Sequence, residues 1–128
     1  MKAMIVENQF KNWKALATLS VDDLPQRGNF SAAYAFRDSR NHEIIKLGET
    51  GTLRRRIFGN FIGGVGGRSD STTQLVHCSL IHERTINHIE IAWIKTKTKS
   101  AARAIEKQFR QEYKAAHRGH RPKWDHRD

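Results

Sequence analysis

The sequence predicts a small α/β domain in which a three-stranded mixed or antiparallel sheet is flanked by helices. Two neighbouring segments have the composition of short strands joined by a turn. In a third segment, apolar and polar side chains alternate as they do in a strand. Segments with helical spacing lie between and after these strands. A chain of 128 residues has room for one modest hydrophobic core and not for two.

The first two strands are predicted to form a hairpin. Residues 31–37 and residues 43–47 favour strands, the second because it contains a β-branched pair. Residues 38–42 (Asp-Ser-Arg-Asn-His) supply turn-forming side chains between them, and Gly48 is expected to end the second strand. The third strand is predicted over residues 87–96, which alternate between apolar and polar side chains.

Helical periodicity predicts four helices. The first covers residues 8–19, whose apolar side chains fall on one face. A short basic helix is expected over residues 52–58 and a third helix over residues 72–83. A longer helix, capped by the serine at its start, covers residues 100–116. The five glycines of residues 59–67 predict a mobile loop between the second helix and the third.

Charge is unevenly distributed along the chain. Lys and Arg number 23 against 13 Asp and Glu, which gives a formal net charge of +10. Residues 1–50 carry seven basic and six acidic side chains, whereas residues 51–128 carry sixteen and seven. This asymmetry predicts one strongly positive face and a polyanionic partner. A basic ribosome-associated or RNA-binding module satisfies the same charge pattern, so charge alone does not indicate an enzyme.

Cysteine content and hydropathy argue against a disulfide-linked, membrane-spanning or secreted protein. The single cysteine, Cys78, excludes an intramolecular disulfide framework and fits a reducing, cytoplasmic environment. Its apolar neighbours predict a thiol buried in the core and not a nucleophile. No apolar run approaches the roughly 18 residues that a membrane span needs. The first ten residues also lack the hydrophobic region of a signal peptide.

Five short segments stand in an informative order. They are Ala-Ala-Tyr-Ala-Phe at 32–36, Ile-Lys-Leu-Gly-Glu-Thr at 45–50, Leu-Arg-Arg-Arg at 53–56, Ala-Ile-Glu at 104–106 and Pro-Lys-Trp-Asp at 122–125. Their order and spacing resemble the GIY-YIG nuclease family. In that family a strand with Gly-Ile-Tyr precedes a strand with Tyr-Ile-Gly, then a helix with an arginine, a helix with a glutamate and a closing asparagine. The resemblance covers residues 31–125.

The resemblance implies an endonuclease that hydrolyses phosphodiester bonds of duplex DNA with one divalent ion, Mg²⁺ or Mn²⁺. It implies that Tyr34, helped by Lys46, takes the proton from the attacking water. Arg56 would clamp the phosphate and Glu106 would hold the metal. The resemblance therefore implies that these four side chains line one concave, positively charged surface. The hydroxyl of Tyr34 has an ordinary pKa of about 10, so neighbouring cations must lower that pKa before it can act as a base near neutral pH.

The chain departs from the family pattern at four positions. Ala32 and Ala33 replace the first glycine and isoleucine, which strand packing tolerates, and Asp125 replaces the closing asparagine. Lys46 replaces the second tyrosine. A lysine there can bind an anion or help to deprotonate water, and its structural alternative is a side chain that faces solvent. These departures leave open a catalytically inactive relative that only binds DNA or RNA.

Further polar residues are candidates for contact with the DNA backbone. This substrate-binding set comprises Arg54, Arg55, Asn60, Arg68, Arg103, Lys123 and Asp125. His77 and His82 are auxiliary candidates near the phosphate. Each cation has the alternative of a solvated surface charge, and Glu106 has the alternative of an ion pair with Arg110 or Arg103 on its own helix. Tyr34 has the alternative of an aromatic side chain that only packs against the sheet.

The resemblance also implies how the chain is organised. Residues 1–30 would be an N-terminal helical extension packed on the core, residues 31–125 the nuclease-like domain, and residues 126–128 the end of a basic tail. A nuclease of this size resembles phage-type and restriction-type members. A homodimer is one assembly that would supply the two active sites needed to cut both strands.

Overall fold

In the computed structural model, which describes residues 8–64 and 71–124, the chain has a mixed α/β fold with one four-stranded sheet. The strands are β1 (Lys14–Ala15), β2 (Ser31–Asp38), β3 (Ile44–Thr50) and β4 (Ile89–Thr96). Their order across the sheet is β1-β4-β2-β3. Strand β2 is therefore internal, and β3 forms an edge.

The three predicted strands are present, and the sheet has a fourth. Strand β1 is two residues long and pairs with β4. The β2–β3 hairpin forms as predicted, but Gly48 does not end β3, because it pairs with Tyr34 and the strand continues to Thr50. Every pairing among the described strands is antiparallel, so of the two predicted sheet types the antiparallel one is found.

The helix predicted over residues 8–19 is wrong. Only residues 8 and 9 are helical, and the segment continues as β1 and a short 3-10 turn, Leu16–Thr18. Phe10 packs with side chains on one face of the sheet, whereas Leu16 packs with those on the other. One helix face could not have delivered both side chains. Asn12 also has a left-handed backbone (φ 59°), which interrupts helical winding.

Three longer helices accompany the sheet in the described parts of the chain. They are α1 (Arg55–Ile62, wound as a π-helix), α2 (Ser71–His77, continued by a π-helical turn over Cys78–His82) and α3 (Lys99–Ala116). The predicted serine cap of α3 is wrong, because Thr98 caps the helix by accepting a hydrogen bond from the N–H of Ala101. Helix α1 extends beyond the predicted residues 52–58 and includes Gly59, so the glycine-rich loop is shorter than predicted. Its remainder, residues 65–67, lies outside the described residues. None of the helices in the described segments is both long and apolar enough to cross a membrane.

The sheet buries both of its faces, because successive side chains of β2 point to opposite sides. Tyr34 and Phe36 lie on one side, here called the tyrosine face, which packs against α1 and α2. Ala35 lies on the other side, here called the α3 face, where Phe109 and Tyr113 of α3 pack. The tyrosine face therefore carries the aromatic part of the candidate motif, and helix α1 lies directly over it.

Cys78 is exposed, which makes the prediction of a buried thiol wrong. The segment turns Val76 and Leu80, four positions apart, into the core. It leaves Leu75 (41% exposed) and Ile81 (38% exposed) toward solvent with Cys78. A run of apolar residues on a helix cannot all face inward, so neighbours in sequence were a poor guide to the burial of this thiol.

Candidate active site

Tyr34 lies in the middle of β2 and is 3% exposed. Its ring crosses the neighbouring strand at Gly48, its partner in the hairpin. A Cβ atom at position 48 would lie 2.4 Å from the ring Cζ and 2.4 Å from the hydroxyl oxygen of Tyr34, so only glycine leaves room for the ring. The hydroxyl group is therefore carried across the edge strand of the sheet.

Lys46 lies on the same face as Tyr34, because it is two residues from Gly48, the residue that pairs with Tyr34. The register shifts between Phe36, which pairs with Lys46, and Arg37, which pairs with Ile44, so Ile45 is the extra residue. Lys46 lies opposite Phe36, a residue of the tyrosine face, and is only 5% exposed. The alternative of a lysine that faces solvent is wrong, because α1 covers this face of the sheet.

Phe61 of α1 is the ring around which three candidate residues meet. Its centroid is 6.0 Å from that of Tyr34. The Nζ atom of Lys46 and the Cζ atom of Arg56 each lie 5.7 Å from the Phe61 centroid. Cations are attracted to an aromatic face by about 0.5–2 kcal/mol, depending on exposure. One phenol and two cations from three different elements therefore occupy one small region, here called the Phe61 cluster (Tyr34, Lys46, Arg56 and Phe61).

The winding of α1 directs its side chains to two sides. Ile57 and Phe61 are buried, whereas Arg56 and Asn60 are partly exposed. His77 supports the far end of the helix, since its Nδ1 lies 2.8 Å from the carbonyl oxygen of Phe61. Extended π-helical winding is rare, and π-helical turns are frequent at functional sites. His77, an auxiliary candidate, thus contacts the backbone of the residue that organises the cluster.

Glu106 approaches β3 from the α3 face. Its Oε2 lies 2.6 Å from Nη1 of Arg110, one turn further along α3. Nη2 of Arg110 also donates a hydrogen bond of 3.2 Å to the carbonyl oxygen of Leu47. Leu47 precedes Gly48, so this ion pair lies beside the stretch of edge strand that the Tyr34 ring crosses. Helix α3 packs on the face opposite to the tyrosine face, so the elements that carry the candidate residues flank β3 from both sides of the sheet, whereas the resemblance implies one shared surface.

The groups around Glu106 show whether this carboxylate could hold the predicted metal ion. The side chains of Glu106 and Arg110 are 14% and 15% exposed, so the carboxylate is part of a largely buried ion pair. Within the described segments no group of three or more His, Cys, Asp or Glu side chains is arranged to hold a metal. Mg²⁺ is commonly held by one or two carboxylates together with several waters. Glu106 therefore fits such an ion if the ion takes the place of the Arg110 guanidinium.

A positively charged cleft of about 320 Å³ adjoins Arg56 at the end of β3, and we call it the basic cleft. Its lining consists of Thr50, Gly51, Thr52, Arg55, Arg56, Asn60 and Lys99. Arg55 and Asn60, two of the predicted substrate-binding residues, are thus grouped with Arg56. Lys99 is not among the residues predicted from the sequence, because only the fold brings the start of α3 next to the end of β3.

The other predicted substrate-binding residues lie apart from this cleft or outside the described residues. Arg54 is exposed at the start of α1. Arg103 is on α3, where its Nε is 3.9 Å from a glutamate oxygen of β3. Lys123 lines a separate cavity of about 340 Å³ beside the hairpin turn and α2. Arg68 and Asp125 lie outside the described residues.

The segment Pro-Lys-Trp, which precedes Asp125, docks on β3. The backbone N–H of Trp124 donates a 2.8 Å hydrogen bond to the carbonyl oxygen of Ile45. The Trp124 ring packs edge-on against Phe36 at 6.3 Å. Pro122 is fully buried. The closing part of the motif is thereby held next to the strand residue that precedes Lys46.

Comparisons with protein-family models, with curated proteins and with solved structures find no match to this chain. The likeness to GIY-YIG nucleases therefore rests on the five sequence segments and on the grouping of their residues around β3.

Proposed function

We propose that this protein is a metal-dependent endonuclease of the GIY-YIG type that hydrolyses phosphodiester bonds of duplex DNA. The observation that carries the proposal is the Phe61 cluster, in which Tyr34, Lys46 and Arg56 surround one ring. Phosphodiester hydrolysis requires an acceptor for the proton of water and positive charge for the phosphoryl oxygens. A phenol beside two cations supplies both kinds of group.

Each residue of the cluster has a role in the proposed reaction. Arg56 binds the non-bridging oxygens of the scissile phosphate, for which a guanidinium is suited by its paired donors. Lys46 adds a second positive charge and favours the ionised form of the neighbouring phenol. The Tyr34 oxygen then accepts the proton of the attacking water. Gly48 sets the path of the Tyr34 ring, so it acts as a positioning residue.

Glu106 is the proposed ligand of the divalent ion. The ion, once bound, supplies charge compensation for the phosphate and the leaving oxygen. Because β3 is an edge strand, groups on the tyrosine face and groups from α3 can both reach a substrate that lies along that edge. Arg110 competes for the same carboxylate, so the affinity of Glu106 for a divalent ion is expected to be modest.

The ion pair between Glu106 and Arg110 favours a second candidate function. A carboxylate already neutralised at 2.6 Å by a largely buried guanidinium suits a protein that binds nucleic acid without cutting it. Such a protein would use the same basic surface and the same Arg56. The two candidates differ in turnover and agree in binding.

The experiment that separates them is incubation with supercoiled plasmid in Mg²⁺, in Mn²⁺ and in EDTA. The proposed nuclease converts the plasmid to nicked or linear product only when a divalent ion is present. Arg56→Ala should reduce both cleavage and binding, whereas Lys107→Ala, at an exposed position in the middle of α3, is the control for loss of one surface charge. Binding to the plasmid with no cleavage under any condition would favour the second candidate.

A further inference from the structure

We propose that the basic cleft binds a second backbone phosphate of the DNA, with Arg55 and Lys99 as its two cationic ligands. This inference rests on duplex DNA being the partner, as in the proposed function, but it does not require that the DNA be cut. It assigns a role to Lys99, which belongs to none of the motif segments.

The composition of the cleft matches a phosphate. Three of its seven lining residues are Lys or Arg, and the lining contains no carboxylate. The neutral members are a glycine, two threonines and an asparagine, so the lining offers neutral hydrogen-bonding groups together with the charges. Phosphate oxygens are typically bound by Arg and Lys together with such neutral groups.

The floor of the cleft is fixed by local hydrogen bonds. The Thr50 hydroxyl donates to the carbonyl oxygen of Thr52 and accepts from its N–H, each at 3.1 Å. This tight turn at the end of β3 carries Gly51 to the surface. A Cβ atom at Gly51 would lie 3.5 Å from Cδ of Lys99, which shows that the aliphatic part of Lys99 runs along the glycine. The lysine stem is thereby supported where the side chain lines the cleft.

Arg56 connects the cleft to the Phe61 cluster. It lines the cleft and at the same time lies 5.7 Å from the Phe61 centroid. The adjacent residue Arg55 and the lysine at the start of α3 therefore stand next to the proposed scissile phosphate and not at a distant surface. Phosphates repeat along a DNA strand, so a strand held at Arg56 presents its next phosphate close by. The geometry assigns that phosphate to Arg55 and Lys99 jointly.

The test uses the salt dependence of binding to a fluorescein-labelled DNA duplex, measured by anisotropy in EDTA. Each phosphate contact contributes about 0.9 to the slope of log K against log salt. We compare the wild type with Lys99→Gln, Arg55→Gln and the double variant. Lys107→Gln is the matched control, because Lys107 is also an exposed lysine of α3 but lies outside the cleft.

We expect each single variant in the cleft to weaken binding, and the double variant to lower the slope by about one in total, because one shared phosphate is lost. Lys107→Gln should leave the slope unchanged, and Lys99→Arg should retain the wild-type slope. A double variant with the wild-type slope, or with a fall of about two, would overturn the shared site. The binding measurement does not depend on cleavage. A protein that shows the expected slopes but never cuts DNA would therefore contradict the nuclease proposal and leave the phosphate site supported.

Discussion

The ring of Tyr34 lies directly over Gly48, so closely that a Cβ atom at position 48 would be 2.4 Å from the hydroxyl oxygen and from the ring carbon that bears it. The two residues are also partners in the β2–β3 hairpin. Position 48 therefore requires a glycine for steric reasons, whether or not the chain resembles a nuclease. The absence of a side chain there lets the Tyr34 hydroxyl, the candidate proton acceptor, lie where it does.

Gly48→Ala should displace the Tyr34 ring and reduce cleavage more strongly than DNA binding. Overpacking in a filled interior typically costs about 1–3 kcal/mol, so thermal unfolding should show a clear loss of stability as well. Gly51→Ala is the control for stability, because its Cβ would be 3.5 Å from the nearest side chain, an ordinary contact. A Gly48→Ala protein as stable and as active as wild type would show that the Tyr34 position is not constrained.

Lys46→Met should abolish cleavage while the protein stays folded, because methionine keeps the length of the side chain and removes the charge. The lysine is 5% exposed, and a buried ammonium loses hydration that a methionine of similar length does not need. Lys95→Met is a matched control, since Lys95 also lies over an aromatic ring, Phe30, at 5.3 Å but on a different strand. Unfolding and plasmid cleavage are measured on both. If Lys46→Met were less stable and equally active, the lysine would be a structural residue.

Glu106→Gln should abolish cleavage, while binding to DNA in EDTA stays equal or becomes tighter. The change keeps the size of the side chain and removes the charge that would hold the ion. Unchanged cleavage in Glu106→Gln would leave Glu106 as the partner of Arg110 and nothing more.

Arg110→Met should increase the affinity for Mn²⁺, because the guanidinium at 2.6 Å no longer competes for the Glu106 carboxylate. The same change should destabilise the fold by about 1–3 kcal/mol, since a largely buried carboxylate and the Leu47 carbonyl lose their donor. Titration with Mn²⁺, followed by its electron paramagnetic resonance signal, measures the affinity. A lower affinity than wild type would place the ion elsewhere.

Asp38 should make the hairpin sensitive to acid. Side-chain hydrogen bonds from Arg40, at 2.8 and 3.0 Å, hold the pKa of Asp38 at about 2, below its usual 3.8. Because the pKa is lower in the folded state, the stabilisation is complete above the unfolded value and is lost as the pH falls from about 4 to about 2.

Asp38→Asn should therefore unfold at a lower temperature at pH 7 and show a flatter dependence of the midpoint between about pH 4 and about pH 2. Circular dichroism at a series of pH values measures both. Asp22→Asn is the control, because the Asp22–Arg27 ion pair is 75% and 63% exposed and such pairs contribute little. Equal pH profiles for wild type and Asp38→Asn would contradict the assignment.

Part of the fold could be predicted from local sequence patterns. Strand β4 and helix α3 were predictable from the regular spacing of their apolar side chains, and the β2–β3 hairpin was predictable from strand-forming residues on either side of a turn. The order of the motif segments also predicted that Tyr34 and Arg56 lie in the same region of the fold, where both are beside Phe61. These features depend on local composition and on spacing along the chain.

The features that could not be predicted depend on tertiary contacts. The residues near Phe10 and Leu16 have helical spacing, yet they pack on opposite faces of the sheet. The burial of Lys46 depends on helix α1, whose Phe61 ring lies 5.7 Å from the Nζ atom of Lys46. Lys99 joins the cleft only because α3 begins beside Gly51. In each case the deciding contact is between residues far apart in sequence.

The central claim is that the Phe61 cluster hydrolyses phosphodiester bonds, and Tyr34→Phe tests it most directly. Phenylalanine keeps the ring over Gly48 and the contact with Phe61, and removes only the hydroxyl group. The measurement is the rate at which supercoiled plasmid is nicked in Mg²⁺ by wild type and by this variant, with unfolding curves to show that both are folded. We predict that wild type nicks the plasmid and that Tyr34→Phe is slower by about 10²-fold or more, with unchanged DNA binding. Equal rates for the two proteins, or an intact plasmid with wild type in both Mg²⁺ and Mn²⁺, would contradict the claim.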